Sequence, residues 1–202
     1  MGSIYGEYEN TLKLIKEKME KRLSSYQEKI FSETGENGFE HLIARIKSDE
    51  SMRDKCRRKG VPETVESALG VMKDSIGIRI VCSFVDEVYA LVDYIKDFND
   101  VEVVDEKDFI RRAKPNGYRS YHMILAVNSD EKDFRGNVPG RYYVEVQLRT
   151  IAMDTWASLE HKMKYKKDIP NQELLVAELK RVADELASCD LSMQTIRDLI
   201  NG

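Results

Sequence analysis

The stretch "DSIGIRIVCSF" (74–84) runs directly into "VDEVYALVDYIKDF" (85–98), and the hydrophobic period changes at the join. Ile76, Ile78, Ile80 and Cys82 alternate, as residues on one face of a strand must. The segment that follows repeats its apolar residues at helical spacing. A strand that hands over to an amphipathic helix, with further strands on both sides, restricts the chain to a sheet covered by helices.

The flanking segments complete that picture. "HLIARIKS" (41–48), "VEVVDEKD" (101–108), "RSYHMILAV" (119–127) and "YYVEVQLRT" (142–150) read as strands. The polar "NSDEKDFRGNVPGR" joins the last two and has the composition of a flexible connection. Helical patterns span Tyr5 to Ile30, ended by "ETGENG" at 33–38, and "DESMRDKCRRKG", capped by Ser48 or Asp49. A short helix is expected from Val61-Pro62-Glu63 to about Leu69. "MDTWASLEHKMKYK" follows the last strand, Pro170 breaks it, and a final helix covers Asn171 to Ile200. Trp156, Leu159 and Met163 share a helical face and read as core. The expected fold is α/β (α+β): a mixed sheet of about five strands flanked by helices. Three segments result: a helical arm (1–35), a central domain (36–168) and a C-terminal helix (169–202).

Composition narrows the function classes. Apolar residues make up 42% of the 202 and charged residues 34%, enough to build a core and stay soluble. No long uncharged apolar run or signal-peptide pattern occurs, so neither a membrane span nor export is expected, and a cytoplasmic location follows. Cys56, Cys82 and Cys189 are odd in number and far apart, unlike a disulfide framework or a thiolate metal site. The net charge of −4 argues against a duplex DNA binder.

Chemistry-bearing residues fall into three groups. Arg45 and Lys47 share a strand parity, and Lys55, Arg58 and Lys59 share a face of the next helix. Such a cluster suits a polyphosphate, whose oxygens can each meet a separate cation, although a solvated helix face has the same composition. Asp74, at the head of one strand, and Glu145, inside another, are two separated carboxylates, a way to hold Mg²⁺ together with substrate phosphates, although a strand facing water carries Glu and Gln outside for solubility alone. Alternation places Val144, Val146 and Leu148 on the core side and Glu145, Gln147 and Arg149 on the other. It gives Asp74 the parity of Ile76 rather than Arg79, so Asp74 joins the polar side only if the strand begins near Ser75 or is distorted at Gly77. The third group is "AKPNGYRSYH" (113–122). Pro115-Asn116-Gly117 makes a turn, and Tyr118, Ser120 and His122 then fall on one strand face beside Lys114. A ring beside cations and donors can stack on a nucleobase while its neighbours take phosphate or ribose.

Taken in order, "RIK", "KCRRK", "DSIGIRI", "KPNGYRSYH", "VEVQLRT" and "MDTWASLEHKMKYK" resemble the RelA/SpoT-family synthetase domain, and within it the stand-alone small alarmone synthetases. The resemblance implies a nucleotidyltransferase-like core that transfers the β,γ-pyrophosphate of ATP to the 3′-OH of GDP or GTP, with GMP a further candidate acceptor, giving (p)ppGpp and AMP. It implies that Arg45 and Arg79 sandwich adenine while Lys47, Lys55, Arg58 and Lys59 bind the triphosphate. Asp74 would bind Mg²⁺ (or Mn²⁺), and Glu145 would help hold the metal or activate the acceptor hydroxyl. Tyr118 would stack on guanine, with Lys114, Asn116, His122 and Gln147 contacting the same nucleotide. Long family members carry a hydrolase domain with a His-Asp dipeptide; none occurs here, so synthesis without hydrolysis is expected. The terminal helices fit a homotetramer. His41 and Ile43 stand where an aromatic and a hydroxyl residue belong in relatives that bind alarmone in a central cleft, so that site is not carried over. Two rival readings are a single-stranded RNA-binding module, whose binding would fall steeply with salt, and a synthetase for another acceptor nucleotide.

Overall fold

The computed structural model describes residues 2–164 and 171–202. A five-stranded sheet with order β1-β2-β5-β4-β3 forms its centre. The strands are β1 (His41–Ile46), β2 (Ile76–Cys82), β3 (Val101–Asp108), β4 (Tyr121–Ser129) and β5 (Gly140–Thr150). β2 and β5 pair in parallel and every other pair is antiparallel, so the sheet is mixed, as expected.

The helices are α1 (Glu9–Thr34), α2 (Asp49–Lys59), α3 (Val85–Lys96), α4 (Ile151–Lys164) and α5 (Gln172–Asn201). α1 starts later than its pattern predicts, because Ile4 and Tyr5 are buried and the Tyr5 hydroxyl donates to the Lys47 carbonyl at 2.7 Å. A 3₁₀ turn, Gly6–Tyr8, then leads into the helix. Its apolar stripe is Leu12, Ile15, Met19, Leu23 and Tyr26, all buried in the core beneath the sheet. Arg22 does not interrupt this stripe. It leaves it sideways to pair with Asp100 at 2.5 Å and to cover the Phe98 ring. Gly35, at φ 77°, closes the helix with a bond to the Phe31 carbonyl.

Ser48, not Asp49, caps α2 by accepting from the Ser51 amide. Asp49 instead receives Arg53 one turn later. The short helix expected at 61–69 starts later, at Val65, and continues as a π-helical turn, Ser67–Val71. Gly70 lies there under the Phe134 ring, with only 2.6 Å between that ring and the site of an added Cβ. The polar connection before β5 is more organised than its composition suggests. Buried Asp133 accepts from the amides of Arg135, Asn137 and Arg141 and from the Asn137 side chain.

α1 and α3 cover one face of the sheet, where Ile76, Ile78, Ile80, Val144, Val146 and Leu148 meet Val88, Leu91 and Ile95. α4 and α5 pack on each other. Trp156 is 4% exposed and its indole N–H donates to the Leu179 carbonyl at 2.8 Å. Leu159 and Met163 are not core: they are 51% and 39% exposed. α5 is likewise only partly covered, with Leu179 and Ala183 buried but Val182, Met193 and Ile196 exposed. One small sheet leaves α4 and α5 too little apolar surface to pack on. The helix break expected at Pro170, and the end of the "MDTWASLEHKMKYK" motif, lie outside the described residues.

Candidate active site

Strand register assembles the site on the sheet face opposite the core. Arg45, Gly77 and Glu145 lie side by side across β1, β2 and β5. The next row on the same face holds Ile43, Arg79, Gln147 and His122. Partners in one row project to one side, so alternation alone brings two arginines, a carboxylate, an amide and an imidazole together. Gly77 adds no side chain, and a Cβ there would meet nothing within 4 Å. The bare position is the floor of a pocket of about 220 Å³ lined by Ile43, Arg45, Arg79, Glu145 and Gln147.

Asp74 borders this pocket's strands from outside the ladder. β2 begins at Ile76, so strand parity does not bind Asp74. The Lys47 amide donates to the Ser75 carbonyl at 2.8 Å and extends the β1–β2 pairing past the strands' ends. One Asp74 oxygen, Oδ2, then takes both the Lys47 ammonium and that of Lys55, the latter at 2.5 Å. Burial disfavours the charged carboxyl, but the two lysines outweigh it and hold Asp74 below the usual carboxylate range. Its other oxygen, Oδ1, is buried without a hydrogen-bond partner among the described residues. Arg58 and Lys59 are exposed on α2, apart from this ion cluster.

The loop before β4 forms a tight turn, with Gly117 at φ 89° donating to the Lys114 carbonyl at 2.8 Å. Tyr118 is boxed in. Lys114 Nζ lies 4.7 Å from its ring centre, Arg149 Cζ lies 5.3 Å away, and the rings of Phe109, His122 and Trp156 meet it edge-on. Arg149 donates to the Tyr118 hydroxyl at 2.8 Å, and that hydroxyl lies 2.7 Å from His122 Nε2. One proton lies between that hydroxyl and Nε2, and His122 Nδ1 lies 3.8 Å from Glu145, too far for a hydrogen bond. Burial, reinforced by Arg149 and Lys114, pushes the His122 pKa down to about 4, which agrees with a neutral ring. Asn116 is held by Glu160 at 3.1 Å. Ser120 does not share a strand face with Tyr118 and His122: β4 starts at Tyr121, and Ser120 turns inward to the Leu148 carbonyl.

Alternation placed Arg149 on this face but did not reveal its part. It is 5% exposed and ties four groups: Tyr118, Gln147 at 3.0 Å, Asp154 at 2.9 Å and Ser120 at 3.4 Å. Gln147 in turn donates to Glu145 at 3.1 Å, so one chain of hydrogen bonds runs from the loop tyrosine to the carboxylate. Asp154 also faces Arg79 at 3.5 Å. An acid one turn into the helix that follows "QLRT" was the available signal for Asp154; nothing in the sequence pointed to Phe109.

Residues 44–170 match the family model described as the region found in RelA / SpoT proteins. The chain belongs to the RelA/SpoT family. A family relative, GTP pyrophosphokinase YwaC of Bacillus subtilis (strain 168), is 42% identical over 168 residues, covering 81% of this chain and 76% of the relative. Small alarmone synthetase 1 from Bacillus subtilis, solved bound to its product pppGpp, superposes with a TM-score of 0.81 at 29% identity and covers 95% of both chains. The same enzyme bound to AMPCPP gives 0.71 at 27% identity, over 94% of this chain and 93% of that one. The RelA/SpoT resemblance of the motifs and the five-stranded α/β expectation therefore both hold.

Proposed function

We propose that this chain is a (p)ppGpp synthetase that moves the β,γ-pyrophosphate of ATP onto the 3′-OH of GDP or GTP, with GMP as a further acceptor, and releases AMP. The observation that carries this reading is the joining of two half-sites by one strand. On β5, Glu145 and Gln147 border the Arg45–Arg79 pocket, and through Gln147 and Arg149 they reach Tyr118. Relatives solved with pppGpp and with AMPCPP support a guanosine nucleotide on one side and ATP on the other.

In this reading the Arg45 and Arg79 guanidinium planes flank adenine, and Lys47, Lys55, Arg58 and Lys59 meet the triphosphate. The acceptor base stacks on Tyr118 once exposed Lys114 swings off the ring, and Asn116, His122 and Gln147 contact the same nucleotide. The 3′ oxygen attacks the β-phosphorus, the bond to the α-phosphate oxygen breaks, and AMP leaves with that electron pair. Glu145 takes the hydroxyl proton or shares in holding the metal. Asp74 and Glu145 fit Mg²⁺ or Mn²⁺, since one buried Asp74 oxygen has no hydrogen-bond partner among the described residues and Mg²⁺ binds through one or two carboxylates plus phosphates and water. When bound there, the ion would offset charge on the phosphoryl oxygens. His122, neutral and bonded to the Tyr118 hydroxyl, orients Tyr118 and does not serve as the base.

The remaining expectations belong to the same proposal: a synthesis-only domain at 36–168, flanked by segments 1–35 and 169–202, acting in the cytoplasm as a homotetramer. No described helix is long and apolar enough to cross a membrane. Exposed Arg58 and Lys59 also leave single-stranded RNA as a second ligand.

Purified protein with ATP, Mg²⁺ and each of GMP, GDP and GTP, with ADP as control, should yield AMP one-for-one with a 3′-pyrophosphorylated guanosine nucleotide. Absence of product with every acceptor sinks the reading. RNA binding that weakens steeply with salt and ignores Mg²⁺ would then favour the module alternative. Asp74→Asn should lower kcat by about 10²–10³-fold, the scale of losing one charge-stabilising group, with a much smaller effect on nucleotide KM.

A further inference from the structure

Arg119 lies in the middle of the loop motif, yet the proposed reaction makes no use of it. Its guanidinium turns away from the pocket toward α5. There it donates to the Ala183 carbonyl at 3.3 Å and to Asp184 Oδ1 at 2.9 Å, while also holding its own neighbour's carbonyl, Gly117, at 3.1 Å. Buried Asp190, which accepts from Thr150 at 2.6 Å, lies on the same helix and interacts with Arg119, although burial raises its pKa. Gly117 sits against α5 even more closely. A Cβ on it would fall 2.5 Å from the Ala183 methyl and 3.0 Å from the Lys180 backbone. Glycine is thus required twice at this position, by its left-handed φ and by the approach of the helix.

Tyr118 therefore has an anchored residue on each side, and both anchors are on α5. Trp156, whose indole is bonded to the Leu179 carbonyl, closes the same corner and meets the Tyr118 ring at 6.2 Å between centres. We infer that α5 is a positioning element for the acceptor-nucleotide loop: the Arg119–Asp184 pair and the Gly117–Ala183 contact set where Tyr118 presents its ring. This inference rests on Tyr118 being the acceptor-base platform.

The test compares the full chain with Asp184→Ala, Asp184→Glu and Lys180→Ala. Lys180 pairs with Asp184 at 2.5 Å within the helix and its loss leaves the loop anchor in place. KM for GDP and for ATP, kcat, thermal midpoint and hydrogen exchange of the amides at 114–119 are read for each. Asp184→Ala should speed exchange in that loop and raise the GDP KM about five- to tenfold, within the range for one partly exposed hydrogen bond, with the ATP KM within about twofold. Asp184→Glu should recover most of the loss, and Lys180→Ala should match the parent. Unchanged loop exchange in Asp184→Ala overturns the inference, as does an equal rise of both KM values with a lowered midpoint, which would mark a merely structural contact. A parent chain that makes no product overturns the proposed reaction, while the exchange comparison still decides whether α5 holds the loop.

Discussion

Gly77 shows how one residue can matter for what it leaves out. It sits in the second strand from the edge, between Arg45 and Glu145 in register, and nothing in the fold touches its missing side chain. Valine is a good strand former, so Gly77→Val should leave the thermal midpoint nearly unchanged. It should nonetheless raise the ATP KM about tenfold or more, because its methyls occupy the pocket floor; normal ATP binding would remove that pocket from the reaction. His122 gives a second test at this scale. Burial lowers its pKa from 6.5 to about 4, so the unfolded chain binds a proton that the folded chain refuses. Its contribution to stability is complete above about pH 6.5 and is lost as the pH falls toward 4. Unfolding midpoints from pH 4 to 8 should show that decline, and His122→Gln should flatten it. The His122 ring protons should not titrate between pH 6 and 8 by NMR; titration near 6.5 would contradict the neutral ring.

Among the elements, what was legible followed burial on one face. β2, β4 and β5 alternate cleanly because one face meets α1 and α3 and the other holds polar groups, so Glu145 and Gln147 could be placed by parity alone. Asp74 could not, since a residue just beyond a strand end obeys no alternation and its place depends on Lys47 and Lys55 arriving from β1 and α2. Leu159 and Met163 misled for a related reason: helical spacing shows that a face is apolar but does not say what covers it. The Arg119 anchor was unreadable because Asp184 is 65 residues away. α1 makes the contrast with α5 testable. Its stripe is covered within the chain, with Met19 fully buried. Met19→Ala should therefore cost about 2–5 kcal/mol at every protein concentration, measured by urea unfolding. A penalty that disappears on dilution would place α1 in an interface instead.

For the whole molecule, the uncovered surface is concentrated on α4 and α5, where Leu159, Leu174, Leu191, Met193, Ile196, Leu199 and Ile200 are exposed. Exposed apolar residues gathered on two packed helices mark an interaction surface, and they support the proposed tetramer. Leu191→Glu combined with Ile196→Glu should shrink the particle seen by light scattering while leaving helix content intact; an unchanged mass would move the interface elsewhere. The strand order carries a consequence of its own. β1 pairs only with β2, and β3 only with β4, so two separate ribbons exist until β5 enters between β2 and β4. That strand is the last to leave the ribosome and holds Glu145, Gln147 and Arg149. Closing the sheet and assembling the proposed catalytic face therefore depend on the same strand, so a chain that misplaces β5 loses both together.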